Sequence, residues 1–453
     1  MCNALFSKPW LAASAACFAD FFGLNCTTPT LPIFLLAWGT TLLGTGPVAA
    51  DWARTWTGAI LMAQSFAKIP GHLLWGVQSG KFGGRVVLFF VMVLNAITFA
   101  ASAVFAISGL PLNAIVGLLG VRLLAGFCAP IVPGFVFLFE RQEPGPALVA
   151  SVGKIGGGIL TGLTLGGVAV AIPFGAPAAI WAGVCLLSAA MALLVLIPVY
   201  KAPPVLTHVV AMRKQKPVGV RKALLTNEYI SHGLTSLASG WTVTMLTAVP
   251  AVHYALYFAF SVPIISVCFI SSSATTFFTA IYVVPAICKR YCIARSIYIG
   301  HCWQLVMMIV LSLPWVNRSP VAYPICIAVS QIGLCLAVNP NQNRSSTIGR
   351  MHTVNGTGAL TGVTRVLFSC GESTGPLVGI LLLYPIGTLG GPSDPRIGTL
   401  LPFMVTAALH VVVLTAYALL RISPNADPVV KPQQRQAQVQ KQADAEVAVT
   451  PTD

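Results

Sequence analysis

Runs of about 20 apolar residues recur from near the N-terminus to about residue 420, and no other feature constrains the fold as strongly. A helix of that length crosses a hydrocarbon layer of about 30 Å. The chain of 453 residues is 56% hydrophobic and only 8% charged, whereas soluble domains carry roughly a quarter charged residues. A water-soluble core cannot absorb so much apolar surface, so lipid is the expected solvent.

We predict an all-α polytopic membrane protein of about twelve transmembrane helices. A bilayer offers no water to unpaired backbone groups, and these segments are too long and too continuously apolar for barrel strands. The predicted spans are residues 11–34, 57–77, 86–109, 114–138, 150–172, 176–199, 231–252, 262–287, 293–314, 320–339, 356–383 and 398–420.

The placement of the basic residues decides whether a net charge of +15 indicates a nucleic-acid partner or a membrane orientation. Loops on one side hold only Arg54, Arg318 and Arg396, and four basic residues fall inside spans. The remaining Lys and Arg residues, Arg344 among them, lie on the other side, which the positive-inside rule makes cytoplasmic. The charge therefore indicates topology, with both termini cytoplasmic and no nucleic-acid partner.

A polar, basic stretch near the middle of the chain divides the spans into two sets of six. We predict an N-terminal half at 1–200, a cytoplasmic linker at 201–228, a C-terminal half at 229–420 and a disordered cytoplasmic tail at 421–453. Two such halves are a recurring transporter architecture, in which they rock around a site near the bilayer midplane.

Ionisable residues inside spans form the candidate site, because Asp, Lys or Arg at a helix centre costs at least about 2.5 kcal/mol. Asp20 and Lys68 are expected at similar depth, so they could pair; a Lys68–Glu372 pair is the alternative. Such a pair either responds to protonation or is a permanent structural ion pair. The six residues are Asp20, Lys68, Arg122, Lys154, Arg365 and Glu372.

Glycine and proline patterns accompany these charges. Prolines at 29 and 32 follow Asp20 and permit span 1 to bend. Span 4 carries R-L-L-A-G from Arg122 to Gly126. The segment after span 2 reads G-V-Q-S-G-K-F-G-G-R and includes Gly76, Gly80, Lys81, Gly83 and Arg85. Glycines suited to close helix packing recur in span 5, with or without a part in gating, and include Gly158, Gly162, Gly166 and Gly167.

In this order, the segments resemble the major facilitator superfamily through about Leu420. The segment from Gly76 to Arg85 resembles the family's loop signature, Arg122 and Gly126 resemble its span-4 motif, and the span-5 glycines resemble its antiporter motif. The spacing of Asp20 and the two prolines is similar to span 1 of vesicular amine transporters and related drug:proton antiporters. The resemblance implies that Asp20 lies in the path of a cationic substrate and that Arg122 takes part in proton coupling.

Three positions depart from the family pattern. Gly80 stands where the loop signature usually has an acid, Ala125 where span 4 often has Gln, and Leu163 where span 5 has Pro. The missing acid normally helps to hold the outward-facing state, so gating is altered or carried elsewhere. The drift from the antiporter motif also leaves room for a uniporter or a symporter.

These observations predict a proton-coupled antiporter of small organic cations or amphipathic compounds, working by alternating access, with no cofactor and no metal. Phe21, Phe22 and Trp75 offer aromatic faces to a cation, or else are packing residues. A facilitator of anionic or neutral metabolites is the alternative, in which Lys68, Arg122 and Arg365 bind substrate. A non-transporting receptor or scaffold is a third possibility, and no residue set indicates an enzyme.

Overall fold

The computed structural model describes residues 8–107, 111–141, 151, 154–155, 177–205, 220–291, 293–352, 357–382 and 400–420, and within these ranges the chain forms helices and turns but no strands. In chain order the α-helices are α1 (Pro9–Leu43), α2 (Pro47–Phe82), α3 (Gly84–Ile107), α4 (Pro111–Phe127), α5 (Ile131–Phe139), α6 (Pro177–Leu194), α7 (Leu196–Lys201), α8 (Val220–Leu224), α9 (Asn227–Met245), α10 (Ala248–Val252), α11 (Val262–Phe278), α12 (Val284–Tyr291), α13 (Ile293–Leu311), α14 (Pro314–Asn317), α15 (Ala322–His352), α16 (Thr357–Pro376) and α17 (Leu401–Leu419). Three π-helical segments extend or interrupt them at His253–Tyr257, Thr279–Val283 and Leu377–Leu382.

The predicted all-α polytopic membrane fold is confirmed. Eleven of the twelve predicted spans coincide with helices in the described ranges, and the remaining one, at 150–172, lies almost wholly outside them. Spans 4 and 6 are each built from two successive helices, α4 with α5 and α6 with α7. Seven helices in the described part of the chain are long and apolar enough to cross a membrane.

Two basic residues that the sequence places in loops lie inside helices instead. Arg54 belongs to α2 and is 1% exposed, and Arg344 belongs to α15 and is 3% exposed. The Arg54 guanidinium donates to the Asp51 carboxylate at 2.7 and 2.9 Å. Hydropathy counts both residues as polar and cannot predict that they pair. Both helices therefore continue past the apolar windows that identify them.

Helix α1 packs into both large hydrophobic clusters of the described chain. Its first half, with Ala16, packs on Leu88 of α3 and Phe135 of α5. Its second half, with Leu35, packs with Val252 of α10 and with residues of α11, in a cluster that α13 and α15 also join. The helix runs without interruption through positions 29 and 32. Helix α1 therefore begins among helices of the predicted N-terminal half and ends against helices of the predicted C-terminal half.

Candidate functional site

Helices α2 and α16 run antiparallel and contact each other along most of their length, a contact that we call the α2–α16 seam. At one end, Arg54 Nη1 donates at 2.7 Å to the carbonyl oxygen of Ile380, which lies in the π-helical segment that continues α16. In the middle, Lys68 Nζ lies 2.6 Å from Glu372 Oε1. The other end, where α2 meets α3, holds Lys81 and is called the basic end below. The seam joins the two predicted halves of the chain.

Glycines allow the close approach at the basic end of the seam. A Cβ added to Gly76 would lie 3.0 Å from the Gly358 carbonyl oxygen, and one added to Gly362 would lie 3.0 Å from the His72 carbonyl oxygen. Both distances are tighter than ordinary van der Waals contact, so larger residues would push the helices apart. The loop-signature glycine Gly76 thus serves packing between α2 and α16.

The Lys68–Glu372 ion pair is buried within the seam. The two side chains are 7% and 11% exposed, and the pair joins α2 to α16. Two charges withdrawn from water in this way depend on each other, because removal of one partner leaves an uncompensated buried charge. Of the two pairings that the sequence left open, the structure forms the one between Lys68 and Glu372.

Asp20 lies beside this pair without bonding to it. The residue is 8% exposed, and its Oδ1 accepts a hydrogen bond from Asn95 Nδ2 of α3 at 3.2 Å. The charges of Lys68, Glu372 and Arg122 all act on its carboxylate. The predicted direct Asp20–Lys68 pair is absent from the described residues. Asp20 belongs to the same charged group through electrostatics at longer range.

Arg122 of α4 is anchored on α2. Its Nη1 donates to Gln64 Oε1 at 2.6 Å, and the residue is 3% exposed. One turn later, a Cβ on Gly126 would lie 1.9 Å from the Gln64 carbonyl oxygen, so the two helices touch through backbone. The R-L-L-A-G segment therefore combines a buried charge with the glycine that lets α4 approach α2.

Arg365 of α16 extends toward helices of the predicted N-terminal half. Its guanidinium carbon lies 5.4 Å from the ring centroids of both Phe135 in α5 and Phe368 in α16. The residue is 5% exposed, and its Nε has no hydrogen-bond partner among the described residues. The aromatic faces therefore stabilise the charge, but the guanidinium uses few of its hydrogen-bond donors.

The turn between α2 and α3 depends on one glycine conformation and one carboxylate. Gly83 has φ of +89°, a region that favours glycine. The backbone N–H of Gly84 donates to both carboxylate oxygens of Glu140, at 2.9 and 3.1 Å. A carboxylate at the first residue of α3 also complements the positive end of the helix dipole. Glu140, which follows α5, was not predicted from the sequence.

Arg85 closes the same turn onto the end of α7. Its guanidinium donates to the carbonyl oxygens of Val199 at 3.1 Å and Ala202 at 2.9 Å, and also to that of Tyr200. Gly80 faces open space, because a Cβ there would meet no atom within 4 Å. The acid that the family pattern places at this position is missing, and Glu140 brings a carboxylate to the turn from another helix.

Several residues that the sequence singled out lie away from the buried charged group or outside the described residues. Lys154 is exposed, with Nζ 4.6 Å from the Trp10 ring centroid, so it is not part of the buried charged group. Trp75 donates through Nε1 to the Phe127 carbonyl oxygen at 2.6 Å and packs between helices, and Phe22 is a packing residue that is 2% exposed. The span-5 glycines Gly158, Gly162, Gly166 and Gly167 lie outside the described residues.

Two polar networks of the predicted C-terminal half were not predicted. His232 contacts Asn341 Oδ1 at 2.7 Å and Thr364 Oγ1 at 3.0 Å, linking α9, α15 and α16. His301 and His410 face each other through their Nδ1 atoms at 3.0 Å, linking α13 and α17. No local pattern signals these pairs, because their members are more than 100 residues apart.

Comparison with models of protein families gives no match, and comparison with curated proteins gives none. Solved structures do match. The proton:xylose symporter XylE aligns with a TM-score of 0.68 and 13% identity, covering 91% of this chain and 95% of that one. The human organic anion transporter MFSD10 aligns with a TM-score of 0.62 and 15% identity, covering 91% of this chain and 99% of that one. The nucleoside transporter NupG aligns with a TM-score of 0.58 and 15% identity, also covering 91% of this chain and 99% of that one.

These likenesses extend over nearly the whole chain, and at such identities they establish the fold alone. The protein is a multi-pass helical membrane protein with the fold of major facilitator superfamily transporters. The expected superfamily fold is therefore confirmed.

Proposed function

We propose that this protein moves small solutes by alternating access, as a proton-coupled antiporter of organic cations or amphipathic compounds. The observation that carries the proposal is the buried Lys68–Glu372 ion pair, with its 2.6 Å contact between α2 and α16. The pair joins the helices that must separate if the two predicted halves rock against each other. The resemblance of the Asp20 segment to amine transporters supports a cationic substrate.

Exchange follows from competition for two buried carboxylates. A proton on Glu372 removes the negative charge that holds Lys68, which weakens the seam and favours its opening. A cationic substrate is attracted to Asp20, whose carboxylate has one described hydrogen bond, from Asn95, and further acceptor capacity. Because Lys68 acts on both carboxylates, a proton or a cation at one changes the electrostatic balance at the other.

The described conformation is closed along the seam. Arg54 contacts the Ile380 carbonyl at one end, and Gly76 approaches the Gly358 carbonyl at the basic end. An alternating-access cycle would open these two ends in turn. The Lys68–Glu372 pair lies between them and is therefore placed to couple both openings to its protonation.

Orientation and substrate direction follow from the charge distribution. We infer that the basic end faces the cytoplasm, because Lys81, Arg85, Lys289 and Arg290 lie at the α2–α3 turn and in the last turn of α12. Antiport driven by a proton gradient would then move substrate out of the cytoplasm into an acidic compartment or medium.

A facilitator of anionic or neutral metabolites is the second candidate. It is favoured by Arg365, whose Nε has no partner in the described part of the chain, and by the excess of buried basic residues over acids around the seam. The solved structures that match include transporters named for an organic anion, a sugar and nucleosides, so the fold accommodates such solutes. Flux of any solute would remove the scaffold alternative.

Uptake into proteoliposomes under an imposed pH gradient tests the proposal. A panel of organic cations, anions and neutral metabolites is compared for the native protein, Asp20→Asn and the control Glu228→Gln, which neutralises an exposed carboxylate in the first turn of α9. Cation flux that follows the gradient in the native protein and the control, but is lost in Asp20→Asn, supports antiport. Gradient-independent flux of an anion or sugar that Asp20→Asn leaves unchanged supports the facilitator.

A further inference from the structure

Three exposed cations lie where α12 ends and α13 begins. Lys289 and Arg290 belong to the last turn of α12, and Arg295 belongs to the first turn of α13. None of the three ion pairs in the described part of the chain involves them. Their charge is therefore available to an anion outside the protein.

One aromatic ring holds the two arginines near each other. The guanidinium carbons of Arg290 and Arg295 lie 5.2 and 5.0 Å from the ring centroid of Tyr291, so they are at most about 10 Å apart. A cation within about 6 Å of such a ring is attracted to it. The ring limits the freedom of both side chains before a ligand arrives, so less entropy is lost when both contact one phosphate group.

The cations lie at the edge of the hydrocarbon layer. The helical run Val262–Tyr291, which contains α11, a π-helical segment and α12, has 30 residues and is about 45 Å long. The hydrocarbon layer is about 30 Å thick, so part of the run extends beyond it, and the charged last turn is the part that avoids hydrocarbon most strongly. Lys289 and Arg290 therefore lie at the depth of the lipid phosphates.

Exposed aromatic side chains accompany the cations on the same two helical runs. Tyr298 follows Arg295 by three residues, which places both on one face of α13, and it is 42% exposed. Tyr282 is 66% exposed, and Phe278, whose ring centroid lies 6.3 Å from that of Tyr282, is 59% exposed. Tyrosines are enriched where hydrocarbon meets the headgroups. A soluble anion would use only the cations, whereas a phospholipid also offers acyl chains to these rings.

We propose that Lys289, Arg290 and Arg295 bind the phosphate of an anionic phospholipid, whose acyl chains pack on the exposed rings of the neighbouring turns. With the orientation inferred above, this lipid belongs to the cytoplasmic leaflet, where anionic lipids give the membrane surface a negative potential. The lipid contacts both α12 and α13 and stabilises the folded protein by binding it. The site is separate from the α2–α16 seam, and its occupant is not the transported solute.

Native mass spectrometry of the full-length protein in detergent tests the site without a transport assay. The protein is titrated with phosphatidylglycerol or with phosphatidylcholine of the same acyl chains, and the lipid-bound fraction gives Kd for each. We expect tighter binding of phosphatidylglycerol, weakened about tenfold or more when Arg290→Gln and Arg295→Gln are combined. Tyr291→Leu keeps all three charges but removes the ring, and should weaken the binding by a smaller factor. Native affinity in Tyr291→Leu would contradict the role of the ring.

The matched control combines Arg221→Gln and Lys222→Gln, which removes two exposed charges from α8. It should bind phosphatidylglycerol as tightly as the native protein does, and an equal loss in both double variants would overturn the assignment by tracing the effect to net charge. Equal affinities of the native protein for the two lipids would also overturn it.

A soluble phosphate is distinguished from a lipid by thermal unfolding. Phosphatidylglycerol should raise Tm of the native protein, and glycerol 3-phosphate, which carries the phosphate without acyl chains, should leave Tm unchanged at the same concentration. An equal rise with glycerol 3-phosphate would overturn the lipid assignment in favour of a soluble anion.

Discussion

The two substitutions that break the Lys68–Glu372 ion pair, one at each residue, should destabilise the protein by different amounts. At 2.6 Å and an effective dielectric constant of 20, the Coulomb attraction is about 6 kcal/mol before desolvation is subtracted. Removal of one partner of a buried pair typically costs about 3–5 kcal/mol. Lys68→Met should lie at the upper end, because it leaves both Glu372 and Asp20 without their shared cation. Glu372→Gln should cost less, since Asp20 continues to act on Lys68.

A double-mutant cycle measures the interaction directly. Melting temperatures in detergent are recorded for the native protein, Lys68→Met, Glu372→Gln and the double variant. We expect the double variant to be more stable than Lys68→Met alone, with a coupling of roughly 1–3 kcal/mol, typical of residues in contact. Additive losses in the double variant, or a smaller loss for Lys68→Met than for Glu372→Gln, would refute the reasoning.

Two further predictions concern packing and the turn between α2 and α3. Gly126→Ala should lower Tm and reduce the free energy of unfolding by about 1–3 kcal/mol or more, because its Cβ would lie 1.9 Å from the Gln64 carbonyl oxygen. Gly80→Ala is the control: residue 80 faces open space, so Tm should be nearly unchanged. Equal effects of the two would contradict the close α2–α4 contact. Glu140→Gln should cost about 1.5–3 kcal/mol by weakening its charge-assisted bonds to the Gly84 N–H, as read from Tm. An unchanged Tm would mean that this carboxylate does not stabilise the turn.

The sequence predicts the helices well because a bilayer imposes a length and a hydropathy that are both local properties. It fails at helix ends such as Arg54 and Arg344, where a charged residue continues the helix. For Arg54, the continuation is supported by long-range contacts such as the bond to the Ile380 carbonyl, 326 residues away along the chain. Depth alone cannot reveal these contacts.

The sequence pointed to most of the buried charges but not to their arrangement, and Lys154, which it also singled out, is exposed. Buried charges stand out in apolar spans, so Asp20, Lys68 and Glu372 were found, yet two pairings remained equally possible until the helices were placed. Neutral amides such as Gln64 and Asn95 cost less to bury than charges and give a weaker signal. Their partners, Arg122 and Asp20, are identified only by the helix packing.

Proton movement during substrate entry tests the central proposal most directly. Proteoliposomes that enclose a pH-sensitive dye, without an imposed gradient, receive an organic cation that the protein transports. Exchange of one cation for a proton should make the interior more alkaline with the native protein, and Asp20→Asn should abolish the signal. Entry of the substrate with constant internal pH, or with acidification of the interior as in symport, would contradict the proposed antiport.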